Sequence, residues 1–197
     1  MFESLDLGCG RNKLPGALGV DLDPTCEPDL VLDLDQQPWP LADSSFTQVR
    51  ARHVIEHVRN AAGFLSEVWR VSRPDAQIEI VTPHFSNPMA FCDPTHRRAL
   101  SARFIEFYVD PQAHSAFRNA ARAAAHLAFE SEFDLPQLPG SVRFRVLRRH
   151  LTFPRIWRFC GVAWLANRWL SFYEFYLSGI FRARDIELDL EVLKDFP

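Results

Sequence analysis

Three short stretches of the chain hold residues able to do chemistry. The first, LDLGCGRNKLPGALGVDLD from Leu5 to Asp23, places Gly8 and Gly10 in a turn after an apolar strand and ends a second strand on Asp21. Glycine lets a backbone bend sharply and approach a ligand closely. Such a turn normally feeds a helix whose N-terminus faces that ligand, yet only RNKLPGAL separates it from the second strand. The dinucleotide fingerprint G-x-G-x-x-G fails as well: Lys13 occupies the third glycine position, and Asp21 arrives sooner than a ribose-gripping acid should. The second stretch is HVIEHV. His53, Glu56 and His57 have the HxxEH spacing that, on a helix, turns two histidines to one face to bind zinc. Here His53 falls at a strand end and a third ligand is wanting, so no metal is expected. The third stretch follows the fifth strand. His84 and Phe85 fall in the crevice beyond the strand ends, where a neutral imidazole could take a proton. His96 in DPTHRR is the second candidate base, and Arg97 and Arg98 could hold an anionic substrate. Either histidine could instead cap its element.

The elements that must position these residues read as a parallel α/β sheet. Leu5–Leu7, Ala17–Val20, Leu30–Leu32, Gln48–Ala51 and Gln77–Val81 are short apolar strands. Asn60 caps a helix over Ala61–Ser72, with Phe64, Leu65, Val68, Trp69 and Val71 mostly on one face and Arg73-Pro74 as its stop. After Pro83 the pattern changes. Asp93-Pro94 predicts a helix over Thr95–Val109, closed by Pro111, and Gln112–Phe129 is Ala-rich and helical. Val142–Leu147 alternates apolar residues with Arg as an edge strand would. Phe153–Phe181 reads as one or two helices, and Asp185–Lys194 alternates strictly as a half-buried strand.

Composition sets wider bounds. The 197 residues suit one sizeable core, and the formal net charge is only −3. That charge is uneven: residues 1–90 carry 13 acidic and 7 basic side chains, residues 97–182 carry 6 and 13. A basic second half containing most of the Phe and Trp fits an anionic or lipid-like partner, or else is ordinary surface charge. Nucleic acid is not expected, because the chain as a whole is not basic. Cys9, Cys26, Cys92 and Cys160 form neither CxxC pair nor metal spacing, and MFESLDLG lacks the features of a signal peptide; a cytoplasmic protein with reduced thiols is expected. Arg155, Arg158, Arg168 and Glu174 interrupt the apolar run Phe153–Phe181, which argues against a spanning helix. The run could lie on a bilayer surface or cover the sheet and line an acceptor pocket.

The order LDLGCG, GVD, VLDLDQQPWPLADSSF, RARHVIEHV and LSEVWRVSRPDAQIEIVTP resembles the class I S-adenosylmethionine-dependent methyltransferases, over Leu5 to about Pro83. The resemblance implies a Rossmann-like, seven-stranded, mostly parallel sheet with a C-terminal antiparallel strand pair and a helical insertion after the fifth strand. It assigns Asp6, Gly8, Cys9 and Gly10 to the turn beneath the methionine part of S-adenosylmethionine. Asp21 would pair with both ribose hydroxyls, Leu22 would flank the adenine, and Asp33 with Leu34 would meet its amino edge. His53 would sit beside the sulfonium. The missing first helix matches a subset reading GCG..K.PG, which leaves Arg11, Asn12 and Lys13 on a loop. One of them, Asn12 among the candidates, could meet the cofactor carboxylate, or they could simply be solvated. Thr47 and Asp75-Ala76 depart from the family's Asp and Gly-Gly.

The division implied is a cofactor-binding half (1–83), an acceptor-binding helical insertion with the sixth strand (84–182), and a final strand (183–197). The function implied is methyl transfer to a hydroxyl or amine of a small molecule, sugar or lipid-linked glycan, leaving S-adenosylhomocysteine, with Phe85 and Arg97 toward the acceptor. The other reading is a peripheral membrane or assembly protein that keeps the cofactor fold without turnover.

Overall fold

The structure, a computed structural model, describes residues 2–109 and 142–194. Its strands are β1 (Ser4–Leu7), β2 (Leu18–Asp21), β3 (Leu30–Val31), β4 (Phe46–Arg52), β5 (Ser72–Pro83), β6 (Arg143–Leu151) and β7 (Asp185–Leu193). They form one seven-stranded sheet in the order β3-β2-β1-β4-β5-β7-β6. The first five run parallel and β7 lies antiparallel between β5 and β6. The mostly parallel sheet and terminal antiparallel pair are those expected from the sequence. Alternation predicts β7 well: Ile186, Leu188, Leu190 and Val192 are fully buried. Its acids face the arginines of edge strand β6, Arg145 pairing with Glu191 and Arg148 with Glu187.

Helix α1 (Ala61–Val71) begins where Asn60 Oδ1 accepts the Gly63 N–H at 2.9 Å, and buries Phe64, Leu65, Val68 and Val71. The same helix carries Glu67, 7% exposed, which builds the turn before β4. Its carboxylate accepts the Trp39 N–H at 2.6 Å and Arg70 Nε at 2.7 Å, while Arg70 also donates to the Leu41 and Trp39 carbonyls. Burial pushes the Glu67 carboxyl up, but these hydrogen bonds and the Arg70 charge outweigh it and hold the group below its ordinary value. Beyond α1, Asp75 stands at φ 60°, at the position where the sequence resemblance implies glycine. Aspartate tolerates that left-handed geometry better than most residues.

The segment after β5 differs from the sequence expectation. Asp93-Pro94 starts no helix over 95–109; among the described residues there are only α2 (Met89–Cys92) and a 3-10 turn at Phe104–Tyr108. Asp93 Oδ1 instead accepts the Thr95 N–H at 2.8 Å and its hydroxyl at 2.6 Å, closing a local turn. Tertiary bonds then hold the chain down: Arg97 N donates to the Glu56 carbonyl at 2.8 Å, and Arg98 to the Val58 and Arg59 carbonyls. The helix expected over Gln112–Phe129 lies outside the described residues. Phe153–Phe181 is broken into α3 (Arg155–Phe159), α4 (Val162–Arg168), a turn at Leu170–Phe172 and a π-helical turn at Tyr173–Leu177. No helix among the described residues is long and apolar enough to cross a membrane.

Glu67→Ala strands the Trp39 N–H and the Arg70 charge together, so urea denaturation is expected to show a loss of about 2–4 kcal/mol. A loss below about 0.5 kcal/mol, the range of an ordinary surface change, would mean that the turn is held by other contacts.

Candidate active site

Register brings the candidate residues to one edge. Leu7 lies opposite Val20 on one side and Ala51 on the other, Asp21 opposite Val31, and Arg52 opposite Val81. Gly8, Leu22, Asp33, His53 and His84 therefore all follow the carboxyl ends of parallel strands, where ligands bind in such sheets.

The glycine turn is built to be approached. Gly8 and Gly10 have φ of 62° and 51°, and a Cβ on Gly8 would collide with the Val54 side chain, whereas the space off Gly10 is open to 4 Å. Asp21 closes the turn: Oδ2 accepts the Gly10 N–H at 2.8 Å and Oδ1 the Asp23 N–H at 2.9 Å. Each carboxylate oxygen keeps a further lone pair for a diol. Beside it Leu22 is 65% exposed, an apolar surface suited to a base. Asp33 Oδ1 accepts the Asp35 N–H at 2.9 Å, and Leu34 is buried behind it. Cys9 is buried, its thiol pushed up by burial and then by the Asp21 and Asp6 charges. Open glycine space, a diol-reading carboxylate and an exposed apolar shelf together fit the nucleoside and amino-acid parts of S-adenosylmethionine.

Asp6 stands apart from this group. It is 2% exposed, and Arg50 Nε and Nη2 reach its two oxygens at 2.9 and 2.7 Å. The Leu14 N–H donates to it at 2.8 Å, and Arg50 also donates to the Asn12 carbonyl at 3.1 Å. Asp6 thus holds the loop beneath the turn and faces no ligand space. Lys13 is paired with Asp29 at 2.9 Å, which leaves the exposed side chains of Arg11 and Asn12 at the loop surface. Arg50 escaped the sequence reading because a lone arginine in a strand carries no spacing signal.

His84 is also placed differently from the crevice base expected. It is fully buried; Nδ1 accepts the Ser86 N–H at 3.2 Å and Nε2 lies 3.1 Å from Glu174 Oε1. Glu174 further accepts the Ser101 hydroxyl at 2.7 Å and the Ala102 N–H at 2.8 Å. Burial pushes the Glu174 carboxyl up, but hydrogen bonds from His84, Ser101 and the Ala102 N–H hold it below the ordinary range. With both nitrogens engaged, His84 is a latch between the end of β5 and the π-helical turn. Phe85 stacks on it with ring centroids 4.3 Å apart.

The imidazoles that do gather in the crevice are His53, His57 and His96. His53, at φ 56°, ends β4 with its side chain 50% exposed. The adjacent Glu56 carboxylate holds its imidazole above the ordinary value, against partial burial. His57 and His96 meet edge to face, centroids 4.7 Å apart. Arg97 is exposed at the rim, whereas Arg98 is spent on the backbone carbonyls of the 53–59 loop.

Residues 5–80 match the family model described as a methyltransferase domain. Among solved structures, the chain is similar to a SAM-dependent methyltransferase from Archaeoglobus fulgidus, with 16% identity and a TM-score of 0.56 over 96% of this chain and 87% of that one. It is also similar to an S-adenosylmethionine-dependent methyltransferase from Mesorhizobium loti, with 12% identity and a TM-score of 0.52 over 96% and 90%. No curated protein matches it in sequence. The chain thus has the fold of these methyltransferases, and the match to the methyltransferase-domain model lies in its first half.

Because the Glu174 carboxyl is held down in the fold, its contribution to stability is present above the unfolded carboxylate range of about 4.3. That contribution is lost as pH falls through the folded value. Melting curves of Glu174→Gln against wild type are expected to differ most near neutral pH and to converge as the pH falls below the ordinary carboxylate range; a gap that does not narrow with falling pH would refute the latch.

Proposed function

We propose that the chain transfers a methyl group from S-adenosylmethionine to a hydroxyl or amine of a small anionic, sugar-like or lipid-linked acceptor. The observation that carries the cofactor part is the Gly8–Gly10 turn closed by Asp21 with Leu22 exposed beside it. When bound, the cofactor supplies a methyl group activated on a sulfonium sulfur. Displacement at such a centre asks the protein for alignment and proton removal more than for strong catalysis. On this reading Gly8 and Gly10 admit the methionine part, Asp21 orients the ribose, and Leu22, Asp33 and Leu34 frame the adenine. The crevice imidazoles His53, His57 and His96 are placed to accept the acceptor's proton.

The acceptor class is inferred from the second half. A cavity of about 750 Å³ beside the carboxyl end of β6 is lined by Arg158, Arg168, Trp164 and Phe153 next to the Arg148–Glu187 pair, a set whose two further arginines suit an anionic group carried on an apolar or ring-shaped body. Around it Phe159, Trp164, Trp169 and Tyr176 are 89, 67, 51 and 59% exposed. Aromatics rimmed by arginine suit contact with an anionic bilayer surface, which favours a lipid-linked acceptor reached there.

Melting the protein with S-adenosylmethionine at a hundredfold excess over Kd is expected to add about 2.7 kcal/mol, a rise of roughly 5–10 °C. Asp21→Ala should abolish the rise. No shift at millimolar cofactor would overturn the methyltransferase reading, and tight binding by the variant would mean that the ribose lies elsewhere. For the bilayer contact, co-sedimentation with anionic vesicles is expected at low salt and should weaken in Trp164→Ala/Phe159→Ala; no co-sedimentation would remove the membrane part of the reading.

A further inference from the structure

We propose that the cavity between β6 and the α3–α4 pair docks a phosphate group carried on an apolar chain, and so holds the acceptor by a point three strands away from the transferring methyl group. The inference rests on the proposed methyl transfer and narrows its acceptor to an extended, phosphate-bearing molecule. β6 is antiparallel to β7 and β7 to β5, so β6 ends on the same edge of the sheet as the crevice. Register fixes the separation: Arg52 lies opposite Val81, Val81 opposite Glu187, and Glu187 opposite His150. His150 lines the cavity, and His53 follows Arg52 into the crevice. Three strand spacings of about 4.8 Å therefore part the two places, about 14 Å in all.

Two features point to a phosphate on an apolar body. The first is charge. Arg158 on α3 and Arg168 on α4 both line the cavity, and neither has an ion pair among the described residues. Guanidinium forks match phosphate oxygens, and two of them neutralise a doubly charged group. Their field reaches the facing wall: burial, then Arg148 and, against Glu187, Arg158 hold the His150 imidazole below its ordinary value. A bound anion would relieve that crowding of positive charge. The second feature is size and lining. At about 750 Å³ the cavity is larger than one phosphate fills, and Phe153 and Trp164 give it an apolar side. Trp164 stands 67% exposed, so a chain leaving the cavity meets apolar surface.

Between cavity and crevice the edge of the sheet is polar. Asp185 lies opposite Pro83 at the end of β5. Its N–H donates at 3.0 Å to the hydroxyl oxygen of Thr152, which lines the cavity. On the other side, behind Glu56, the Asp185 charge also raises the His53 imidazole. The Asp185 carboxylate thus stands between the two places, where it can accept hydroxyl groups of an intervening unit. A metabolite whose phosphate adjoins the methylated atom is too short to reach both ends. A molecule with several groups between them is not.

The site is tested by isothermal titration with dodecyl phosphate below its micelle concentration. Binding is expected to weaken about tenfold or more in Arg158→Ala and in Arg168→Ala, with folding checked by circular dichroism. It should be unchanged in Arg143→Ala, at the far end of β6. Dodecanol and inorganic phosphate should each bind about tenfold more weakly than the joined molecule. No binding, or binding that survives both substitutions, would overturn the site. Soluble dihexanoyl phosphatidic acid binding more tightly than dodecyl phosphate would make the group a bilayer headgroup and overturn the acceptor assignment. The spacing is tested with S-adenosylmethionine analogues whose methyl is replaced by a butyl or a dodecyl chain ending in phosphate. The dodecyl analogue is expected to bind about tenfold or more tighter than the butyl one, and to lose that gain in Arg158→Ala/Arg168→Ala. Equal affinities would overturn the spacing. Binding of dodecyl phosphate with no stabilisation by S-adenosylmethionine would overturn only the methyltransferase reading; the reverse result would overturn this site alone.

Discussion

The buried pair between Asp6 and Arg50 is the constraint on which the cofactor edge depends. In a βαβ unit the helix after the first strand satisfies its own backbone, and here only residues 8–17 join β1 to β2. Their polar groups need other partners. Asp6 supplies one to the Leu14 N–H and Arg50 one to the Asn12 carbonyl, while Asp29 binds both Lys13 and the Gly19 N–H. The pair also joins β1 to β4 side by side. Losing one member of a buried pair costs about 3–5 kcal/mol, so the short loop is held by electrostatics where a longer one would be held by helix packing. The missing helix is therefore replaced, and the turn it would have supported keeps its shape.

A second polar cluster performs the same service on the other side of the crevice. Glu174 gathers His84, Ser101 and Ala102, so that the end of β5, the segment after α2 and the π-helical turn meet at one carboxylate. Between the two clusters lies the crevice with His53, Glu56, His57 and His96. Both flanks are built from buried charges with several partners each, whereas in the crevice the buried Glu56 carboxylate meets only the half-exposed His53 imidazole at 3.3 Å and the Thr82 hydroxyl at 3.0 Å.

Much of this was legible before any coordinates. The strands of the first half, the Asn60 cap and the alternating β7 are local patterns, and a local pattern survives folding when its burial agrees with it. Thr95–Val109 failed because Asp93-Pro94 is a local signal opposed by long-range ones: Arg97 and Arg98 bond to the 53–59 loop and leave no free stretch to wind into a helix. Arg50 and Glu174 were invisible for the complementary reason. Their partners, Asp6 and His84, lie 44 and 90 residues away in sequence, and nothing in the spacing relates them.

The strand segments of the first half, the glycine turn and the acids that follow it are written locally in the chain, because each depends on side-chain period or backbone freedom within a few residues. The sequence also put His53, Glu56 and His57 together. Only the tertiary structure decided what those residues do. It buried His84 against Glu174 and took it out of the crevice, and it set Asp6 beneath the turn. It also carried His96 from a turn some forty residues away to the side of His57. Such placements rest on contacts between distant segments, whose energies are settled when the sheet edge closes and cannot be read along the chain.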